Sequence, residues 1–230
     1  MKVHGNRQGY AVQSNANLSE VLRTRFRGGA AALQRSTPDR FLNVMPQRTR
    51  RVATFDILLG LPTYGDRPEA FTATGQGRHR EGYVVRFHPD GSASWVGNFQ
   101  PGLSSFDTVL QHPNGRHFLV ISGGQGYVVD PEDQAQREYF GTQIEVALHV
   151  PELDSVVFGN GLWFELLGPG DCQWRSGRIS WDGMRMLRRE ELRLFGEAWS
   201  PLEDCWLPFE LDLCTGEFIG GSYNGPNAGA

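Results

Sequence analysis

The densest group of residues able to do chemistry is Arg78-His79-Arg80-Glu81, which follows Gly75-Gln76-Gly77. On an extended strand Arg78 and Arg80 share one face, with His79 and Glu81 on the other. Two guanidinium groups beyond a Gly-x-Gly loop could hold a carboxylate or a phosphate. The loop recurs as Gly124-Gln125-Gly126 without arginines, which favours a turn role for the loop itself. On an acidic protein the expected arrangement is two splayed arginines, each paired with its own surface carboxylate. Ser180-Trp181-Asp182-Gly183 is the second candidate. It puts an aromatic ring and an acid in one turn, so Trp181 and Asp182 could contact a sugar or a protein partner, or could simply pack.

Other chemistries find less support. The six histidines, His4, His79, His88, His112, His117 and His149, show no metal-ligand spacing. His88 and His112 precede prolines in turns, where solvated rings are expected. His112 and His117 flank a predicted hairpin that could bring them together. Asp130, Glu132 and Asp133 crowd one turn, but the calcium-loop pattern is absent, and a solvated acidic turn is expected. No G-x-S-x-G or Cys/His/Asn set marks a nucleophile. Glu165 and Glu210 lie on predicted strands, as carboxylates do in any β protein. No catalytic residue, metal site or cofactor is therefore assigned. The three cysteines, Cys172, Cys205 and Cys214, form no disulfide framework, which points to a reducing compartment.

The elements that must position these residues are short strands. Candidates are 52–59, 81–87, 118–122, 127–129, 144–150, 155–158, 162–167 and 206–213, punctuated by His88-Pro-Asp-Gly91 and His112-Pro-Asn-Gly115 turns. With 29 glycines in 230 residues, a coiled coil or long helical bundle is excluded. Charge divides the chain: residues 1–51 carry 10 bases and 2 acids, or +8, leaving 12 bases and 24 acids, or -12, for residues 52–230. Residues 1–51 read as a basic, irregular or partly helical arm, with a short helix from Asn17 to about Arg27. A disordered tail, an organelle-targeting segment and a nucleic-acid contact are its possible roles. Residues 52–230 read as the β-rich domain.

That domain carries an internal repeat. Gly123-Gly-Gln-Gly-Tyr-Val-Val-Asp130 matches Gly159-Asn-Gly-Leu-Trp-Phe-Glu165, with Leu194-Phe-Gly-Glu-Ala-Trp199 as a worn copy. Gly126, Gly161 and Gly196 are spaced evenly and are expected to occupy equivalent positions. Each copy is followed by a polar turn and a further strand. Repeated antiparallel four-stranded units of about 35–44 residues resemble the blades of β-propeller proteins, over residues 81–223 and at the level of period and strand pattern. An all-β, propeller-like fold is expected, with a β-sandwich as the alternative. Such a fold without a catalytic signature implies a non-catalytic protein-interaction module, its acidic body suited to a partner with a basic surface. The alternative is an enzyme or a small-ligand protein that binds an anion or a carbohydrate in an Arg/Trp-lined pocket. No apolar run approaches a membrane span, so a cytoplasmic protein without a membrane partner is expected, with nucleic acid reached only through the arm.

Overall fold

The computed structural model describes residues 53–74, 77–135, 138–170 and 172–225. The readings made for residues 1–51, including the helix at 17–27, lie outside them. The described chain is all-β, built as four four-stranded sheets that follow one another in sequence.

The first sheet holds β1 (Thr54–Leu58), β2 (Glu69–Phe71), β3 (Tyr83–His88) and β4 (Trp95–Phe99). Its order is β1-β3-β4-β2, with β2 parallel to β4 and the other pairs antiparallel. The other three are antiparallel meanders in chain order. The second holds β5 (Thr108–Gln111), β6 (Phe118–Ser122), β7 (Gln125–Val129) and β8 (Glu138–Phe140). The third holds β9 (Val146–Val150), β10 (Ser155–Gly159), β11 (Phe164–Leu167) and β12 (Cys172–Arg175). The fourth holds β13 (Met184–Glu190), β14 (Arg193–Ser200), β15 (Cys205–Asp212) and β16 (Phe218–Gly220). A single 3-10 turn, Pro151–Leu153, lies between β9 and β10. No helix among the described residues is long and apolar enough to cross a membrane.

The run Phe118-Leu-Val-Ile-Ser122 is apolar on both faces because β6 is buried on both. Successive side chains of a strand point to opposite faces. Phe118 and Val120, with Tyr127 and Val129 of β7, pack against Phe71, Val85, Phe87 and Phe99 of the first sheet. Leu119, Ile121 and Val128 pack the other way, against Val156, Phe158 and Leu167 of the third. Val150, Val157, Phe164 and Leu166 then meet Leu194, Ala198, Phe209 and Leu211 of the fourth. Each sheet is thus glued to its chain neighbours. Among the described residues, no buried cluster joins the first sheet to the fourth.

The repeat lies in the four-strand unit and not in the evenly spaced glycines. Gly126 is in β7, the third strand of its sheet. Gly161 is in the turn between β10 and β11, with φ +80°, and Gly196 is in β14, a second strand. The spacing of these glycines is coincidental, because sheet-to-sheet loops differ in length. The prediction of an extended strand at Arg78–Glu81 is also corrected. These residues lie in the loop before β3, after Gly77 turns the chain at φ +78°.

The links between sheets are laced to the sheets they join by backbone hydrogen bonds. The 100–107 link hydrogen-bonds to the β6–β7 hairpin, through Gly102 N to Ser122 O and Ser104 N to Gly123 O. The 141–145 link bonds backward to that hairpin, Ile144 N to Gly124 O, and forward to the third sheet, Glu145 N to Gly159 O. The link after β12 bonds likewise, Ile179 N to Leu162 O and Trp199 N to Gly183 O. Gly102 is where two links and a hairpin converge: a Cβ there would lie 2.7 Å from Gln125 N, 2.7 Å from Thr142 O and 2.8 Å from Gly123 O. All three are backbone atoms, so nothing flexible can give way. Gly102→Ala is expected to cost about 1–3 kcal/mol, read as a lower urea midpoint at an unchanged m-value; an unchanged midpoint would show that the lacing is soft.

Candidate functional site

The third sheet presents an unusual row to the second. Period-2 alternation puts Trp163 and Glu165 on the face of β11 opposite Phe164 and Leu166, which fill the core toward the fourth sheet. Across the ladders Glu165 is registered with Phe158 on β10 and with Arg175 on β12. Opposite charges on directly facing residues attract. Arg175 Nε donates to Glu165 Oε1 at 2.6 Å, its Nη2 contacts the same oxygen, and Trp163 Nε1 donates to it at 3.3 Å. The Arg175 guanidinium also lies 4.9 Å from the centre of the Trp163 ring.

Glu165 is 7% exposed, and its second oxygen, Oε2, is buried with no hydrogen-bond partner. Arginine–carboxylate pairs are frequently forked, one nitrogen to each oxygen. Here every donor converges on Oε1. An unsatisfied buried acceptor destabilises a fold by about 1–3 kcal/mol, and more when charged.

This carboxylate lines a cavity of about 210 Å³. The second sheet supplies Gln125, Tyr139, Phe140 and the 141–144 link; the third supplies Phe158, Gly159, Asn160, Trp163, Glu165 and Arg175. Asn160 holds the β10–β11 turn, its Oδ1 accepting from Leu162 N at 3.0 Å and Trp163 N at 3.1 Å. Its amide NH2 has no partner among the described residues. Ser104 Oγ, donating to Ile144 O at 2.7 Å, fastens the 141–144 wall.

The residues singled out from sequence lie elsewhere. Arg78 and Arg80 are both exposed, and neither side chain makes an ion pair or a hydrogen bond among the described residues, so the expected pairing with surface carboxylates is not seen. Arg78 lines a concavity of about 400 Å³ with Arg67, His79 and Asn98; Arg80 does not line it. Both ring nitrogens of His79 are buried without a partner there, and burial lowers its pKa, against a smaller opposing effect of the Phe99 carbonyl. Trp181 packs edge-on to Tyr223, with ring centres 4.6 Å apart, and Arg178 lies 4.7 Å from the Tyr223 ring. Its Nε1 is buried and unpartnered. Asp182 is exposed, and its charge, after burial, raises the pKa of Glu145. The arginine pair and the Trp181–Asp182 pair share neither cavity.

Two further expectations are corrected. His112 is 6% exposed, not solvated, and its ring centre is 5.9 Å from that of His117, so the expected approach of these two histidines is present. Asp130 is 1% exposed, not solvated, and binds Arg116. Among the described residues no group of three or more His, Cys, Asp or Glu is placed to hold a metal ion, and none of the three cysteines is in a disulfide.

The comparisons with known proteins found no matching family model, no similar curated protein and no similar solved structure.

Proposed function

We propose that the protein is a small-ligand binder whose site is the cavity between the second and third sheets, with Glu165, Arg175 and Trp163 as its recognition set. The observation that carries this reading is the bare, buried Glu165 Oε2 beside a cavity lined by aromatic rings. Ligand sites combine apolar walls with a few polar groups that fix orientation. The lacing of the links, which hydrogen-bond to the sheets they join, supports reading the four sheets as blades of an open propeller-like assembly, with the cavity wedged between adjacent blades.

The test is a titration of the protein with a panel of small polar metabolites, read at the indole N–H resonance of Trp163 and assigned with Trp163→Phe. At least one compound is expected to shift that resonance. Glu165→Gln keeps an acceptor for Arg175 but removes the charge and replaces one oxygen with a donor, and it is expected to weaken binding at least tenfold. A panel that leaves Trp163 unmoved, or binding indifferent to Glu165→Gln, would overturn the assignment.

A second reading, a protein-interaction module, draws on the outer face of the fourth sheet. Trp199 and Trp206 pair there at 5.3 Å, Arg185 lies 4.2 Å from the Trp206 ring, and Ile219 is 74% exposed. Aromatic and arginine side chains are enriched at such interfaces. Trp206→Ala is expected to abolish capture of a partner from the native host while leaving cavity binding intact; capture that survives it counts against this face.

A further inference from the structure

We infer that the occupant of the cavity is a single neutral ring bearing adjacent hydroxyl groups, as in one sugar unit; this rests on the cavity being a ligand site.

Charge argues first. The Glu165–Arg175 pair is neutral as a unit, and its two ends oppose ligands of either sign. A cation seeking Glu165 Oε2 meets the Arg175 guanidinium, which already occupies the neighbouring Oε1. An anion seeking Arg175 meets the uncompensated Oε2. A charged ligand would also lose its hydration against the aromatic wall, a large cost unless it is fully paired. A hydroxyl group avoids all three penalties.

Hydrogen bonding argues second. The site offers one acceptor without a donor, Glu165 Oε2, and donors without acceptors, the Asn160 amide NH2 and Arg175 Nη1. Each hydroxyl of a vicinal diol both donates and accepts. One can donate to Oε2 while its neighbour accepts from Asn160 or Arg175. Oε2 is buried and Glu165 lines the cavity, so a hydroxyl reaches it through a side-chain adjustment of Glu165 that leaves Arg175 on Oε1.

Shape argues third. Phe158, Phe140 and Trp163 give the cavity flat apolar surfaces suited to the C–H faces of a saturated ring. At about 210 Å³ the space is below the roughly 300–1,000 Å³ typical of drug-sized sites, and one ring is what it admits.

The test is saturation-transfer NMR on the full chain with methyl glucoside, methyl mannoside and methyl galactoside as neutral probes. Glucuronic acid and glucosamine serve as charged versions of the same ring. At least one neutral probe is expected to bind, with each charged version at least tenfold weaker. Glu165→Gln should weaken the neutral probe at least tenfold, and Trp163→Phe, at a half-buried position that tolerates a smaller ring, at least threefold. If a charged sugar binds as well as a neutral one, or if other metabolites move Trp163 while no neutral sugar binds, the diol inference falls and the cavity reading stands. If no compound moves Trp163, both fall. Sugar binding that is unchanged in both variants places it outside the cavity and overturns the inference.

Discussion

Lowering the pH from 7 to 5 is expected to destabilise the fold by about 2 kcal/mol through one side chain, His112. The ring lies at the end of the β5–β6 hairpin, where Asn114 organises a buried polar knot. Asn114 N donates to His112 Nδ1 at 3.0 Å, and Asn114 Nδ2 pairs with His117 Nδ1 at 3.0 Å. Both Nδ1 atoms therefore act as acceptors, and a proton on either would break its bond. Burial first, and the adjacent His117 second, lower the His112 pKa from 6.5 to about 4. Burial also lowers that of His117, partly opposed by Asp130. The sign follows from proton counting. Above pH 6.5 both folded and unfolded chains hold a neutral His112. Between 6.5 and about 4 the unfolded chain takes up a proton that the folded chain refuses, so stability falls with pH and levels off below the folded value. The full loss is roughly 3 kcal/mol at 1.36 kcal/mol per pKa unit. Urea melts at pH 7, 6 and 5 measure it, and His112→Gln, which has no titrating proton, should reduce the slope to the part that His117 supplies. A midpoint independent of pH over this range, or a slope that the substitution leaves undiminished, would contradict the assignment.

The same histidine shows why part of the molecule was hidden in the sequence. His-Pro-Asn-Gly spells a solvated turn, and the turn is there, with Gly115 N bonded to His112 O at 2.9 Å. The approach of His117, five residues on, was also legible from the hairpin, but the burial of the ring, at 6% exposed, was not, because local turn propensity carries no information about tertiary packing. The strands followed the opposite rule. Phe118–Ser122 was legible residue for residue because burial on both faces demands a continuous apolar run. The edge strands β13 and β2 were not, although the edges β1 and β9 were. β13 reads Met-Arg-Met-Leu-Arg-Arg-Glu, with a solvated face and a register shift between Arg185 and Arg188. Met186, at φ +54°, lies in that bulge, so period-2 alternation fails there. β2 has three residues and pairs in parallel with β4, and no hairpin signal announces it.

The candidate site was half legible for the same reason. Trp163 and Glu165 share a face by simple alternation. Their partner depends on register. Leu167 pairs with Cys172, Leu166 with Trp174 and Glu165 with Arg175. One extra residue, Gln173, is absorbed between the first two pairs. Without that bulge Trp174 would face Glu165, and Arg175 would point to the other side, because a one-residue slip inverts a strand. Arg78 and Arg80 drew notice through local density of charge, whereas the recognition set assembles from two strands and a turn.

Neighbouring residues of β6 are expected to control different halves of the stack. Phe118 packs only toward the first sheet, against residues such as Phe87, with ring centres 5.7 Å apart. Leu119 packs only toward the third. Both are buried, at 2% and 0% exposed. Phe118→Ala removes a large ring and should cost about 3–5 kcal/mol; Leu119→Ala should cost about 2–5 kcal/mol. These totals overlap, so the discriminating measurement is where the structure opens. A cavity at one interface weakens what lies beyond it, because the first sheet is held to β6 through one face and the third and fourth through the other. Native-state hydrogen exchange should show the first sheet losing protection in Phe118→Ala while the third and fourth keep theirs. In Leu119→Ala the pattern should reverse. The ligand cavity lies on the Leu119 side, so that variant should also weaken binding and Phe118→Ala should spare it. Equal loss of protection in all four sheets for both variants would mean that the sheets open as one cooperative unit, and that the stack transmits strain across β6 instead of dividing there.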